Sequence, residues 1–207
     1  MRVIGLTGSI GMGKTAVASH IASRGVPVLD SDSVVHRLYA GEAAEAIESA
    51  FPGTTVDGLV DRARLSAALL AEDNGFARLE ALIHPMVRQV QWHFLREQET
   101  AGAALAVLDI PLLFETGGDE LADATIVVSA PADVQAARVS VRPGMTREKL
   151  DAIHTRQLPD AEKRARADFV VDTGVPWEKT RDEVDKVLES LKEWPATAME
   201  RWRNLFA

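Results

Sequence analysis

One short stretch constrains this chain more than any other. Gly8-Ser9-Ile10-Gly11-Met12-Gly13-Lys14-Thr15 follows directly on the apolar run Val3-Ile4-Gly5-Leu6 and meets the pattern G-x-x-x-x-G-K-[ST] at every fixed position. Only a chain that runs from strand through a tight loop into a helix can use this spacing. Glycines let successive backbone N–H groups turn inward around an anion, where a Cβ would collide. The spacing therefore predicts that Gly8, Gly11, Met12, Gly13 and Ala16 cradle nucleotide phosphates, that Lys14 reaches the β- and γ-phosphates, and that Thr15 offers a hydroxyl to Mg²⁺. The segment Ala16 to Ala22 reads as a helix whose positive end faces the anion.

Further apolar runs recur at Val26 to Leu29, Leu105 to Leu108, Thr125 to Val128 and Phe169 to Val171, with helical stretches between them. This is the pattern of a parallel sheet covered on both faces. Such sheets bind ligands beyond the carboxyl ends of their strands, so the residues after each run are where chemistry is expected. They are Asp30-Ser31-Asp32, Asp109 and Asp172-Thr173-Gly174. If the chain stays extended, Asp30 and Asp32 point to the same side of the sheet; alternatively Asp30 caps the next helix or holds water on Mg²⁺.

From Ser33 to Gly102 no strand is expected. Helical patterns run over Glu42 to Phe51, Arg64 to Leu70 and Phe76 to Leu95, with turns at Pro52-Gly53 and Asp57-Gly58. A second helical stretch, Ala132 to Arg138 and Thr146 to Arg166, is broken by Arg142-Pro143-Gly144 and is rich in Arg and Lys. In a nucleotide kinase a mobile lid belongs here. Arg138 and Arg142, four apart, would share a helix face and close over phosphates with their guanidinium forks. From Trp177 to about Trp194 one amphipathic helix is expected, then a stop at Pro195 and a short helix whose Met199, Trp202 and Phe206 pack into the core.

Composition excludes several classes. The chain has 207 residues, enough for one large domain, and a net charge of −8, which argues against bulk nucleic acid as a partner. The short Lys163-Arg164-Ala165-Arg166 cluster does not reverse that balance. There is no cysteine, hence no disulfide or thiolate metal site, and no apolar run near the roughly 18 residues of a membrane span. A start that enters a strand at once leaves no room for a leader, so a cytoplasmic protein without a membrane or obligate protein partner is the expectation. The asparagines Asn74 and Asn204 are followed by Gly75 and Leu205, so the guanine-reading Asn-Lys-x-Asp segment is missing.

Several elements stand together in order: Gly5-Leu6-Thr7-Gly8 leading into the loop, Asp30-Ser31-Asp32, Asp57-Gly58-Leu59-Val60-Asp61-Arg62, Leu79 to Pro85 with His84-Pro85, Asp109-Ile110-Pro111-Leu112-Leu113-Phe114-Glu115, Arg138, Arg142, Arg156-Gln157 and Ala167-Asp168. In these the chain resembles the dephospho-CoA kinase family over about its first 175 residues. Ser9, Met12 and Thr15 replace the family's commoner Gly, Ser and Ser, and Thr173 stands where the family usually has Asn.

The resemblance implies an α/β phosphate-loop NTPase fold of three layers, with a core near 1–32, 103–137 and 166–176, a helical acceptor-side insertion near 33–102 and a lid near 138–165; beyond Pro176 it fades, and the C-terminal helices over 177–207 rest on the apolar pattern alone. It implies transfer of the ATP γ-phosphoryl group to the ribose 3′-hydroxyl of dephospho-CoA, with ATP and Mg²⁺ required. Asp32 is the expected group for the hydroxyl proton. His84, Leu112 and Phe114 are candidates for the acceptor, as is Asp30, while Asp109 fits either the Mg²⁺ side or the acceptor pocket. Arg37, Arg62, Arg64 and Arg88 are possible anchors for the acceptor's pyrophosphate. A nucleoside monophosphate kinase shares the loop and the lid, and an ATPase regulator shares the loop; the long helical insertion and the Asp109 to Glu115 segment favour the larger acceptor.

Overall fold

A computed structural model describes residues 1–142, 145, 146, 150, 153 and 155–207. The chain divides into two compact units, Met1–Leu29 with Leu95–Ala207, and Asp30–Phe94.

The first unit is built on a five-stranded sheet of β1 (Arg2–Thr7), β2 (Val28–Asp30), β5 (Leu105–Asp109), β6 (Ala124–Ser129) and β7 (Phe169–Asp172). Its order is β2-β5-β1-β6-β7, and β1 runs parallel to both β5 and β6, as β6 does to β7. The phosphate loop thus leaves the central strand, where the connections diverge to either side, which is the ligand end of such a sheet. Register brings Leu6 opposite Asp109 and Thr7 opposite Val127, so the start of the loop and Asp109 stand at one edge of the sheet.

Period-two alternation sorts the strand residues onto two faces. Ile4, Leu6, Val107, Ile126, Val128 and Val171 pack with Val17 and Ile21 of α1 (Lys14–Ser23) and with Val184, Leu188 and Leu191 of the C-terminal helix α8 (Trp177–Leu191). Val3, Ala106, Leu108 and Val127 are equally buried on the other face. Burial on both faces explains why these strands read as unbroken apolar runs. After β5 the chain makes a short 3₁₀ turn (Gly118–Leu121), and α6 (Ala132–Ser140) follows β6. Helix α7 (Asp160–Arg166) precedes β7, and α9 (Ala198–Leu205) ends the chain.

Met199 and Trp202 of α9 are buried, and Trp202 Nε1 donates to the Leu121 carbonyl (2.9 Å). Phe206 lies past the helix end and stays exposed, although its ring stacks on Trp202.

The second unit is helical, with α2 (Ser31–Tyr39), α3 (Ala44–Ala50), α4 (Arg62–Ala71) and the greater part of α5 (Gly75–Thr100). Asp61 caps α4 by accepting from the Ala63 and Arg64 amides. Pro85 sits inside α5 without ending it, at the cost of the donor that Ala81's carbonyl would otherwise meet. The unit also holds a hairpin that the sequence pattern does not announce: β3 (Thr55–Val56) pairs antiparallel with β4 (Leu59–Val60). Asp57 and Gly58 turn between them at φ 52° and 75°, the conformation for which Asp-Gly hairpin turns are favoured. Strands of two residues are too short to show alternation, so only the turn is visible beforehand. No described helix is long and apolar enough to cross a membrane.

Candidate active site

The phosphate loop has the backbone its sequence requires. Gly11 and Gly13 lie at φ 79° and 84°, and a Cβ on Gly13 would press on Thr173, while one on Gly8 would stand 2.8 Å from the Val128 carbonyl. Lys14 opens α1, and Thr15 and Ala16 are exposed in its first turn, beside the N–H groups that a helix start leaves without partners. Met12 plays a different part from its neighbours. Its side chain is buried, its sulfur lies 3.1 Å from the Ala130 amide, and its carbonyl accepts from Thr173 Oγ1 at 2.7 Å.

Lys14 Nζ and Asp109 form an ion pair at the carboxyl end of β5. Asp109 is only 4% exposed, so the pair fixes the loop lysine against the sheet instead of leaving it in solvent. Thr15's hydroxyl and Asp109's carboxylate are hard oxygen donors, the chemistry that suits Mg²⁺.

Arg138 reaches this region from α6. Its guanidinium donates to the Thr173 carbonyl (2.7 Å), to Thr173 Oγ1 (3.0 Å) and, at 3.4 Å, to the Gly11 carbonyl. The cation is thus anchored to the loop and to the residue after β7. Arg142 does not share its helix face. Helix α6 ends at Ser140, and Arg142 is exposed in the turn beyond, its N–H on the Val139 carbonyl (3.1 Å). The spacing argument fails because it assumed a helix continuing past Val141. The expected lid falls in part on 143, 144, 147–149, 151, 152 and 154, which lie outside the described residues.

Asp30 and Asp32 also part company. The chain turns helical at Ser31, so the extended geometry that would align the two carboxylates does not occur. Asp30 is the cap of α2, accepting from the Asp32 amide (3.0 Å) and from Ser33 Oγ (2.7 Å), and Asp32 lies exposed in the first helical turn. Ser31 between them is buried and accepts from Gln91 Nε2 (3.0 Å). His84 is half-buried on α5 within the same unit.

In the segment after β5, Leu112 is half-buried, but Phe114 is 5% exposed beneath the Arg166 guanidinium, 4.5 Å from its ring centre. Phe114 is therefore packed beneath Arg166, while Leu112 is the more open of the two. The basic cluster is likewise not a surface patch: Lys163 is wholly buried, and Arg166 pairs with Asp119 (2.9 Å). Glu115, Gln135, Gln157 and Thr173 contact the loop or its supports and were not given roles by sequence pattern. Glu115, Gln157 and Thr173 stood in the elements singled out above without a role of their own, and Gln135 had only its spacing, lying with Arg138 and Val139 at i, i+3 and i+4 on one face of α6.

A parallel sheet with a phosphate loop at the end of its central strand, a lysine seated on a strand-end aspartate and an arginine at the loop's edge define a phosphate-loop kinase. A sequence model described as dephospho-CoA kinase matches residues 2–176. The dephospho-CoA kinase of Mesorhizobium japonicum is 57% identical over 192 residues, which cover 93% of this chain and 98% of that protein. A crystal structure from Thermus thermophilus superposes with a TM-score of 0.81 at 34% identity, covering 91% of this chain and 96% of that one. Dephospho-CoA kinase from Campylobacter jejuni shares the fold, with a TM-score of 0.63 at 21% identity over 92% of this chain and 97% of its own. The chain belongs to the dephospho-CoA kinase family.

Proposed function

We propose that this protein transfers the γ-phosphoryl group of ATP to the ribose 3′-hydroxyl of dephospho-CoA, giving CoA and ADP. The observation that carries the ATP half of the reading is the left-handed pair Gly11 and Gly13 leading into α1 with Lys14 held on Asp109. Membership of the family supports the acceptor.

Phosphoryl transfer asks little covalent help of a protein; it asks for in-line placement and neutralised charge. The loop amides and Lys14 would hold the β- and γ-phosphates. Thr15 and Asp109 would hold Mg²⁺, which would supply further charge neutralisation. Arg138 adds a cation beside the loop, and Arg142 is a second candidate. The acceptor oxygen attacks the γ-phosphorus while the bond to the ADP oxygen breaks, and Asp32 takes or orients the hydroxyl proton. We assign His84 and Leu112 to the acceptor. The cysteine-free composition suits the cytoplasm, where we place the reaction.

The test is purified protein with Mg-ATP and either dephospho-CoA or AMP, UMP and CMP, following ADP release, with the phosphorylated position of the product located by NMR. Transfer to the 3′-oxygen of dephospho-CoA is expected. Turnover with a monophosphate alone, or ATP hydrolysis indifferent to any acceptor, overturns the reading.

A further inference from the structure

The phosphate loop is gripped at two places by residues that the reaction above leaves idle. At its base, Thr7 Oγ1 donates to the Pro111 carbonyl (3.0 Å), which also accepts from Lys163 Nζ (3.1 Å). Lys163 pairs with Glu115 Oε1 (2.8 Å), and the same oxygen accepts from the Leu158 N–H (2.8 Å). One residue before, Gln157 Oε1 accepts from the Ile10 N–H at the loop's crest (3.2 Å). Contacts therefore run from Thr7 through Pro111, Lys163, Glu115 and the Gln157-Leu158 backbone to Ile10. From α6, Gln135 Nε2 donates to the Ile10 carbonyl (2.8 Å).

Planarity gives these two amides leverage. The Ile10 N–H belongs to the peptide plane of Ser9 and Ile10, and the Ile10 carbonyl to the next plane, whose other end is the Gly11 N–H. Gln157 and Gln135 thus fix two successive planes at the entrance of the left-handed pair. The direction of the Gly11 N–H, one of the donors meant for phosphate, follows from where Gln135 holds the carbonyl. Burying Lys163 and Glu115 costs desolvation that only a well-made pair offsets, and its geometric return is a fixed seat for Gln157.

We propose that Gln157 and Gln135 are positioning residues that set the phosphate loop for transfer, one by accepting from and one by donating to the backbone of Ile10. The assignment rests on the kinase reading for its effect on turnover, but not for its effect on the loop.

Opposite responses to glutamate provide the test. Gln157→Ala and Gln135→Ala should each lower kcat/KM for ATP about tenfold, as expected when a reacting group is displaced by part of an ångström, while KM for dephospho-CoA stays within about twofold. Gln157→Glu keeps an acceptor for the Ile10 N–H and should recover most of that loss; Gln135→Glu loses the donor and should not. Independently of any activity, amide hydrogen exchange at Ile10 should quicken about tenfold in Gln157→Ala without substrates, with the Val3 to Leu6 amides unchanged. Unaltered exchange at Ile10, or glutamate acting alike at both positions, overturns the proposal. If the wild-type protein fails to phosphorylate dephospho-CoA while Ile10 exchange responds as stated, the loop assignment stands and the substrate reading falls.

Discussion

Lys14 and Asp109 join the first residue of α1 to the last residue of β5, across the edge where the central strand gives way to the phosphate loop. A lysine has three donors and Asp109 uses only part of them, so the ammonium can keep its carboxylate while it meets phosphate oxygens. Lys14→Met should lower kcat by about 10²–10³-fold, the usual effect of removing one preorganised charge from a transfer site. On the reading that Asp109 serves the ATP side, which its pair with Lys14 supports, Asp109→Asn should lower kcat by about 10–10²-fold with KM for dephospho-CoA unchanged. A raised KM for dephospho-CoA with normal kcat would move Asp109 to the acceptor.

Asp32 is exposed at the start of α2, and its side chain is not needed to cap the helix because Asp30 does that. It is thus available for chemistry. A positioned base contributes about 10²–10⁴-fold, so Asp32→Asn should reduce single-turnover transfer by at least about 10² while ATP affinity, measured by calorimetry, stays within about threefold. Asp30→Asn, which keeps an oxygen for the Asp32 amide, should be mild in the same assay. A loss of only a few fold for Asp32→Asn would remove it from the role.

How far the sequence could be read is clearest at these same residues. The loop, its strand and its helix were legible because glycine, lysine and threonine at fixed intervals leave the backbone little choice. The strands β1, β5 and β6 were legible because both of their faces are buried, which makes each an apolar run. Pattern says less where a chain turns. Asp30 and Asp32 read alike in sequence, and only the onset of α2 at Ser31 separates a cap from a candidate base. Arg142 reads as helical until α6 ends two residues earlier. Phe114 and Lys163 look like a ligand wall and a surface charge, yet long-range packing buries both, and no local spacing encodes the partners Arg166 and Glu115.

Thr173 takes up the family's usual asparagine position with a hydroxyl that holds the loop. It donates to the Met12 carbonyl at 2.7 Å, accepts from Arg138, and is 5% exposed. Thr173→Val keeps the shape and leaves that buried carbonyl without its donor, at a cost of about 1–3 kcal/mol. Urea unfolding should show this loss, and ADP should bind more weakly as Gly13 loses its neighbour's restraint. A stability change below about 0.5 kcal/mol would mean that the Met12 carbonyl finds another donor.

Asp123 has no part in the reaction and holds the tail to the sheet. One carboxylate oxygen accepts from the Val3 N–H (2.8 Å), the other from the Thr197 and Ala198 N–H groups (2.6 and 2.7 Å), so it acts as the cap that α9 lacks locally. Asp123→Ala takes the acceptor from three backbone donors at once, those of Val3 and Ala198 on buried residues, and should cost about 3 kcal/mol, since bonds to charged groups contribute about 1.5–3 each and are not additive. Denaturant midpoints would check it. ATP affinity should remain near normal at temperatures where the variant is folded, and an unchanged midpoint would show that water replaces the carboxylate without loss.

Glu48 offers a prediction in pH. The Gly53 N–H, at 2.6 Å, is the main cause holding its carboxyl below the ordinary range, with the Thr55 hydroxyl and N–H adding to it. A carboxyl depressed in the folded state favours folding above its unfolded value, near 4.3, and that contribution is lost as pH falls through the lower folded value. The helical unit that contains Glu48 should therefore lose stability as pH falls below the ordinary carboxylate range, partly through this group. Glu48→Gln keeps one acceptor without titrating, so its melting temperature should lie below wild type at pH 7 and approach it as acid protonates the Glu48 carboxyl. Parallel melting curves across that range, with a constant gap between the two proteins, would show that the Gly53 and Thr55 bonds do not discriminate between the charged and neutral carboxyl.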